Sequence, residues 1–229
     1  VDYTDDSDTI GAVYDGFLLT DRFWRRVSDE PLNFVPLRLD HSTRRITAGP
    51  PVRFDREADH RTAVELEKEC AVLLKNDGTL PLRRGAKLAY LGGFAAKPRY
   101  QGGGSSHINA ARVSSALECA PDGVVYEEAF PADRDEIDEA AFARAVQAAQ
   151  EAEAVIFAGL PDSFESEGYD RTHMRLPDCQ NELIRRVLAV QKRVVVVLHC
   201  GSPVETPWAD EVSSVLCVYL GGEGVGEAT

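Results

Sequence analysis

Val194-Val-Val-Val-Leu198 is the stretch on which the fold turns. It is an unbroken apolar, mostly β-branched run, closed by His199-Cys-Gly-Ser-Pro203. A half-buried strand alternates apolar with polar residues, so a continuous run of this length reads as a strand covered on both faces. Working outward, Ala154-Val-Ile-Phe-Ala158 and Val215-Leu-Cys-Val-Tyr-Leu220 have the same character. Leu88-Ala-Tyr-Leu91, closed by Gly92-Gly93, and Val124-Val-Tyr126, after the Pro121-Asp-Gly123 turn, add two shorter runs. Helical patterns separate them. Glu136 to Glu151 is Ala-rich and places Ile137, Phe142, Ala145, Val146 and Ala149 at helical spacing. Asp178 to Gln191 gathers Leu183, Ile184, Val187 and Leu188 on one face, with Pro177 suited to the first turn. Arg56 to Leu74 reads as a further helix ahead of the Asn76-Asp-Gly78 turn. This alternation predicts an α/β fold, a doubly wound and mainly parallel sheet sandwiched by helices. Crossovers should be right-handed, and ligand contacts should lie at the carboxyl ends of the strands.

The 229 residues, 44% hydrophobic and 28% charged, suffice for one full domain with an arm. We expect residues 1–53 to be an N-terminal arm or linker without an assignable fold, and residues 54–229 to be the domain. The formal net charge of -13 would repel a phosphate backbone, so nucleic acid is not expected as a partner. No apolar run approaches the roughly 20 residues of a membrane-spanning helix, so no membrane partner is expected either. The five cysteines are scattered without a Cys-x-x-Cys pair, which favours buried free thiols and a reducing, cytoplasmic setting. Neither the cysteines nor the histidines show metal-ligand spacing, and we expect no metal and no cofactor. Val1 is not an initiator Met and Gly226-Glu-Ala-Thr229 reads as a helix just beginning, so both ends are expected to be cuts in a longer chain.

Three loops follow strand carboxyl ends. Tyr100-Gln-Gly-Gly-Gly-Ser-Ser106 has glycines that let the backbone approach a ligand, and hydroxyls and an amide that can bond one. It lacks the Gly-Lys-Ser/Thr of a phosphate loop. A flexible surface loop would have the same composition. Ser163-Phe-Glu-Ser-Glu-Gly-Tyr-Asp-Arg171 concentrates carboxylates beside a guanidinium and two aromatics. If extended, its two glutamates point in opposite directions and at most one faces a given cleft. A solvated acidic loop is the plainer reading of that pattern. His199-Cys-Gly-Ser-Pro-Val-Glu-Thr-Pro-Trp208 contains Ser202, but not the Gly-x-Ser-x-Gly of a nucleophile elbow. His199 and Cys200 diverge from adjacent positions and read as structural.

Taken in order, five segments resemble family 3 glycoside hydrolases. They are Cys70-Ala-Val-Leu-Leu-Lys-Asn-Asp-Gly-Thr-Leu-Pro-Leu82, Gln101-Gly-Gly-Gly-Ser-Ser106, Glu165-Ser-Glu-Gly-Tyr-Asp-Arg171 with Leu176-Pro177 and Gln180, Gly201-Ser-Pro-Val-Glu-Thr-Pro-Trp208, and Tyr219-Leu-Gly-Gly222. The likeness covers about Phe54 to Thr229 and is to the family's second domain, an (αβ)6-type sandwich. It implies a retaining exo-β-glycosidase, β-glucosidase-like, acting on a terminal β-linked sugar of an oligosaccharide or glycoside. It also implies a partner (β/α)8 barrel domain of the same enzyme, carrying the nucleophilic Asp, so the present chain alone is expected to be inactive. By the same resemblance Glu165 is the general acid/base, with Glu167 as the fallback. Gln101, Ser105 and Ser106 would line the substrate cleft, while Asp170 and Arg171 would hold the loop. Phe164 and Tyr169 would furnish the apolar surroundings that raise a donor's pKa. A non-catalytic carbohydrate-binding or scaffolding module is the alternative.

Overall fold

The computed structural model describes residues 33–34, 37–40, 45–48, 52–53, 55–169 and 171–229. Contacts divide the chain into two units, Val1–Asp59 and His60–Thr229. In the first, strands β1 (Asn33–Phe34) and β4 (Val52–Arg53) pair antiparallel. Strands β2 (Leu37–Asp40) and β3 (Arg45–Ala48) form a second antiparallel ladder.

Helix α1 (Arg56–Cys70) opens at Asp55, whose carboxylate accepts from the N–H groups of Glu57 and Ala58, both at 3.1 Å. It buries His60, Val64 and Glu67 on one side. The sequence pattern carried this helix to Leu74, but it ends at Cys70. Val72–Asn76 is strand β5, paired antiparallel with Ser214–Cys217. Apolar Val72-Leu-Leu74 is compatible with either period, and the partner strand, remote in sequence, decides.

The second unit is then built on β6 (Leu88–Leu91), β7 (Val125–Glu127), α2 (Glu139–Glu151), β8 (Glu153–Gly159), α3 (Asp178–Leu188), β9 (Val194–His199), β10 (Ser214–Cys217) and the short α4 (Val225–Ala228). Among the described residues the main sheet has six strands in the order β5-β10-β9-β8-β6-β7, parallel except for β5. Five are the runs read from the sequence. Every residue of β9 is buried, as an unbroken apolar run requires. The core includes Phe142, Ile156, Phe157, Leu183 and Ile184. No helix among the described residues is long and apolar enough to cross a membrane.

Two helix starts show how polar groups fix the layers. Asp138 caps α2 through the N–H groups of Ala140 and Ala141 at 2.9 and 3.1 Å. Pro177, at the start of α3, has no side-chain acceptor, and Asp135 supplies one from 43 and 44 residues away. Its carboxylate accepts from Asp178 and Cys179 N–H, each at 2.9 Å. The fully buried Gln180 returns from α3 to the end of β8. Its Oε1 accepts from Gly159 N–H and its Nε2 donates to Gly159 O, both at 2.9 Å. Replacing Gln180 with Leu strands two buried backbone groups, and each unsatisfied group costs about 1–3 kcal/mol. We expect a loss near 3 kcal/mol, read from the urea-unfolding midpoint at unchanged slope; an unmoved midpoint would refute it.

His60 joins α1 to the C-terminal turn. Its Nδ1 lies 2.7 Å from Glu223 Oε1 and its Nε2 2.9 Å from Glu227 Oε1, while Arg112 lies 2.6 Å from Glu227. The hydrogen bonds to Glu227 and Glu223 raise the imidazole pKa above its ordinary 6.5, against the opposing effect of burial. A raised folded pKa means the stabilisation is present in full below pH 6.5 and is lost as pH rises from there through the higher folded pKa. The thermal midpoint of His60→Asn should therefore fall further below that of the parent at about pH 6 than at about pH 8.5. Equal gaps at both pH values would contradict this.

Candidate active site

The cleft forms where the strand order reverses. From β6 the chain passes outward to β7, then returns to the other side of β6 as β8 and proceeds to β9 and β10. Loops leaving the carboxyl ends of β6 and β8 diverge at this point, which is where open α/β sheets bind ligands. The three loops singled out in the sequence meet here, around a cavity of about 590 Å³. Ser105 and Ser106 come from the first, Phe164 to Glu167, Tyr169 and Arg171 from the second, and Gly201 and Ser202 from the third.

Glu165 and Glu167 both line it. The expectation that only one would do so assumed extended backbone. Instead, Phe164 N–H donates to Pro161 O at 2.8 Å, Glu165 N–H to Asp162 O at 3.3 Å and Tyr169 N–H to Ser166 O at 3.2 Å, so the loop runs as consecutive turns. In turns, successive side chains need not oppose one another.

The two glutamates have different surroundings. The Glu165 side chain is 18% exposed and its Oε2 accepts from the guanidinium of Arg99, whose own side chain is 4% exposed. Gly201 N–H donates to the same oxygen at 2.9 Å. Arg99 also donates to Glu165 O at 2.6 Å and Leu160 O at 3.2 Å, and its Nε lies 3.0 Å from Asp162 Oδ1. Burial pushes the Glu165 carboxyl up. The Ser202 hydroxyl, Gly201 N–H and Arg99 guanidinium outweigh it and hold the carboxyl below its usual range. Glu167 is exposed, and its Oε2 accepts from Ser105 N–H at 2.6 Å and from the Ser105 hydroxyl. These two donors lower its pKa.

Of the other expected residues, Ser105, Ser106 and Arg171 line the cavity with this pair. Arg171 donates to Ser202 Oγ at 2.8 Å and Pro203 O at 2.9 Å, tying the second loop to the third. Asp170 lies outside the described residues. Gln101 is not among the residues lining the cavity. Its amide donates to Tyr100 Oη and Ile108 O at 2.7 and 2.9 Å and accepts from Ile108 N–H at 2.9 Å, which braces the first loop from within. Tyr169 is exposed and Phe164 packs against the core. The fully buried His199 stacks on Phe94 at 5.8 Å, and burial pushes its pKa down to about 4, so it stays neutral inside the fold.

The glycines of the first loop have a use the sequence did not indicate. A Cβ on Gly103 would lie 2.7 Å from Ser166 Oγ, and one on Gly104, whose φ is +80°, would lie 2.5 Å from the Glu167 Cβ. They admit the neighbouring loop rather than a ligand. Arg99 was not singled out from the sequence either. Its one signal is a cation directly before the Gly-rich loop, at the carboxyl side of a strand.

Two glutamates thus line a cavity at the switch point of an α/β sandwich. Comparison with known proteins identifies the family. Residues 71–229 match the model of the glycosyl hydrolase family 3 C-terminal domain, and the chain belongs to that family. It is 49% identical over 184 residues to thermostable beta-glucosidase B of Acetivibrio thermocellus, covering 77% of this chain and 24% of the relative. It is 36% identical over 241 residues to an exo-alpha-(1->6)-L-arabinopyranosidase of Bifidobacterium longum, covering 99% and 31%. Among solved structures, a family 3 beta-glucosidase of Bifidobacterium adolescentis superposes with a TM-score of 0.72 at 39% identity, over 76% of this chain and 27% of that one. The chain thus spans a quarter to a third of the relatives it matches.

Proposed function

We propose that this chain is the acid/base half of a retaining exo-glycosidase site, and that Glu167 is the proton donor. The observation that supports this choice is the contrast between the two glutamates. A retaining enzyme needs one carboxyl group that gives up a proton to the leaving oxygen and recovers one from water. Glu165 is engaged by a buried cation and an N–H, and its charge is stabilised. Glu167, two residues on, is exposed and lines the cavity, and among the described residues its hydrogen bonds come from Ser105.

In the open cleft Ser105 keeps Glu167 ionised. Seating a sugar against the partner (β/α)8 barrel would strip water from this carboxylate and raise its pKa, arming it as a donor only in the closed complex. The nucleophile, which must stand about 5–5.5 Å away, would come from the barrel. The beta-glucosidase and arabinopyranosidase names among the relatives share one feature. Both kinds of pyranoside present an equatorial anomeric bond, so the substrate class is a terminal pyranosyl residue so linked.

The test assays the natural, longer gene product and the 229-residue chain side by side on p-nitrophenyl β-D-glucoside, β-D-xyloside and α-L-arabinopyranoside. We expect turnover by the longer protein and none by the shorter. Sugar binding without turnover by the longer protein would instead support a carbohydrate-binding module. Activity in the short chain alone would place a nucleophile within it.

A further inference from the structure

We infer that Arg99 and Glu165 are a positioning pair for the proton donor, a three-loop clamp that fixes where the Glu167 carboxylate stands. The inference rests on Glu167 being that donor. Arg99 reaches the main-chain oxygen of Leu160, the first residue beyond the end of β8, so it is anchored close to the sheet. From there it grips the second loop twice at one residue, through the main-chain oxygen and the carboxylate of Glu165. The carboxylate passes the connection to the third loop by accepting from Gly201 N–H at 2.9 Å.

Glu167 is two residues downstream, and the first loop completes its constraint. Gly103 and Gly104 pack against Ser166 and Glu167 more closely than any side chain would permit, and Ser105 N–H and hydroxyl hold the donor's Oε2. Glu167 is thus located from two sides, by the first loop directly and, through the chain, by the hold on Glu165 two residues upstream. The Ser202 hydroxyl, Gly201 N–H and Arg99 guanidinium, which outweigh burial and lower the Glu165 pKa, are the same contacts that tie the three loops together.

A general acid displaced by about 1 Å loses up to about 100-fold in rate, and only where protonation matters. In the complete enzyme, Glu165→Gln and Arg99→Lys should each lower kcat on a methyl glycoside about 10- to 100-fold. On a 2,4-dinitrophenyl glycoside, whose leaving group needs no proton, kcat/KM, which reports formation of the glycosyl intermediate, should stay within about threefold of the parent, whereas on the methyl glycoside it should fall as kcat does. Azide separates this inference from the reading beneath it. Removing the acid/base opens a path for azide to attack the glycosyl intermediate, giving a glycosyl azide. That product should form with Glu167→Gln but not with Glu165→Gln, which retains its donor.

Glycosyl azide from Glu165→Gln, with none from Glu167→Gln, would mean that Glu165 is itself the donor and overturn both statements. Azide product from Glu167→Gln alone, with Glu165→Gln and Arg99→Lys at parental rates on the methyl glycoside, would leave the donor in place and refute the clamp. Equal losses on both substrates would also refute it, because a general structural defect does not discriminate between leaving groups. Arg99→Lys keeps a cation at the site, so it reports even if Glu165→Gln does not fold.

Discussion

Glu167→Gln in the complete enzyme is expected to lower kcat on an alkyl glycoside by about 10²- to 10⁴-fold, the usual contribution of a general acid. The amide keeps the size and the exposed position of the carboxylate but has no proton to give. An alkoxide is a poor leaving group and depends on that proton, whereas a dinitrophenolate leaves unaided. The loss should therefore shrink as the leaving group becomes more acidic. With dinitrophenyl substrates the limiting step becomes hydrolysis of the glycosyl intermediate, where the missing base slows attack by water. Domain stability should scarcely change, because the Glu167 side chain is exposed. Parental activity on an alkyl glycoside would remove Glu167 from the reaction.

Arg99→Met should destabilise the domain about as much as Gln180→Leu. Methionine approximates the length of the arginine stem, but leaves the partly buried Glu165 carboxylate facing Gly201 N–H and Ser202 without its cation. Deleting one partner of a buried pair costs about 3–5 kcal/mol, because the survivor keeps its desolvation penalty and loses its counter-charge. Glu165 is not wholly buried, so the lower end, about 3 kcal/mol, is the expected value. The double variant Arg99→Met/Glu165→Gln should recover part of this, since it removes the stranded charge. A double variant that falls by the sum of the two single losses would show that the pair has no coupling in the folded state. Unfolding in urea, followed by tryptophan fluorescence from the buried Trp208, measures all three.

Legibility from sequence differed sharply between the strands and the site. The runs at Leu88, Val124, Ala154 and Val194 fall within one residue of the strands that form, while the run at Val215 extends three residues past its strand. Burial on both faces imposes an apolar demand on every residue of such a strand, so the information is local. Val72-Leu-Leu74 continues the helical pattern by sequence but forms an edge strand, which gets its identity from its neighbour. Ser214–Cys217 lies some 140 residues away. The three loops and their order were equally visible, since glycines, serines and carboxylates concentrate where strands end.

What the amino-acid sequence determined by itself, then, was the layered α/β architecture, the family, and the loop on which the carboxylates sit. Tertiary structure alone decided how those carboxylates differ. Glu165 and Glu167 are the same residue in the same segment, and no local rule separates them. Their pKa and exposure depend on Arg99, Gly201 and Ser105, residues 36 to 66 positions distant that the strand order brings together. Asp135 at the start of α3 and Gln180 at Gly159 repeat the pattern at shorter range. Hydrophobic burial is additive along the chain and is written into the sequence residue by residue. Charge stabilisation depends on distances between loops, and those exist only after the sheet has ordered its strands.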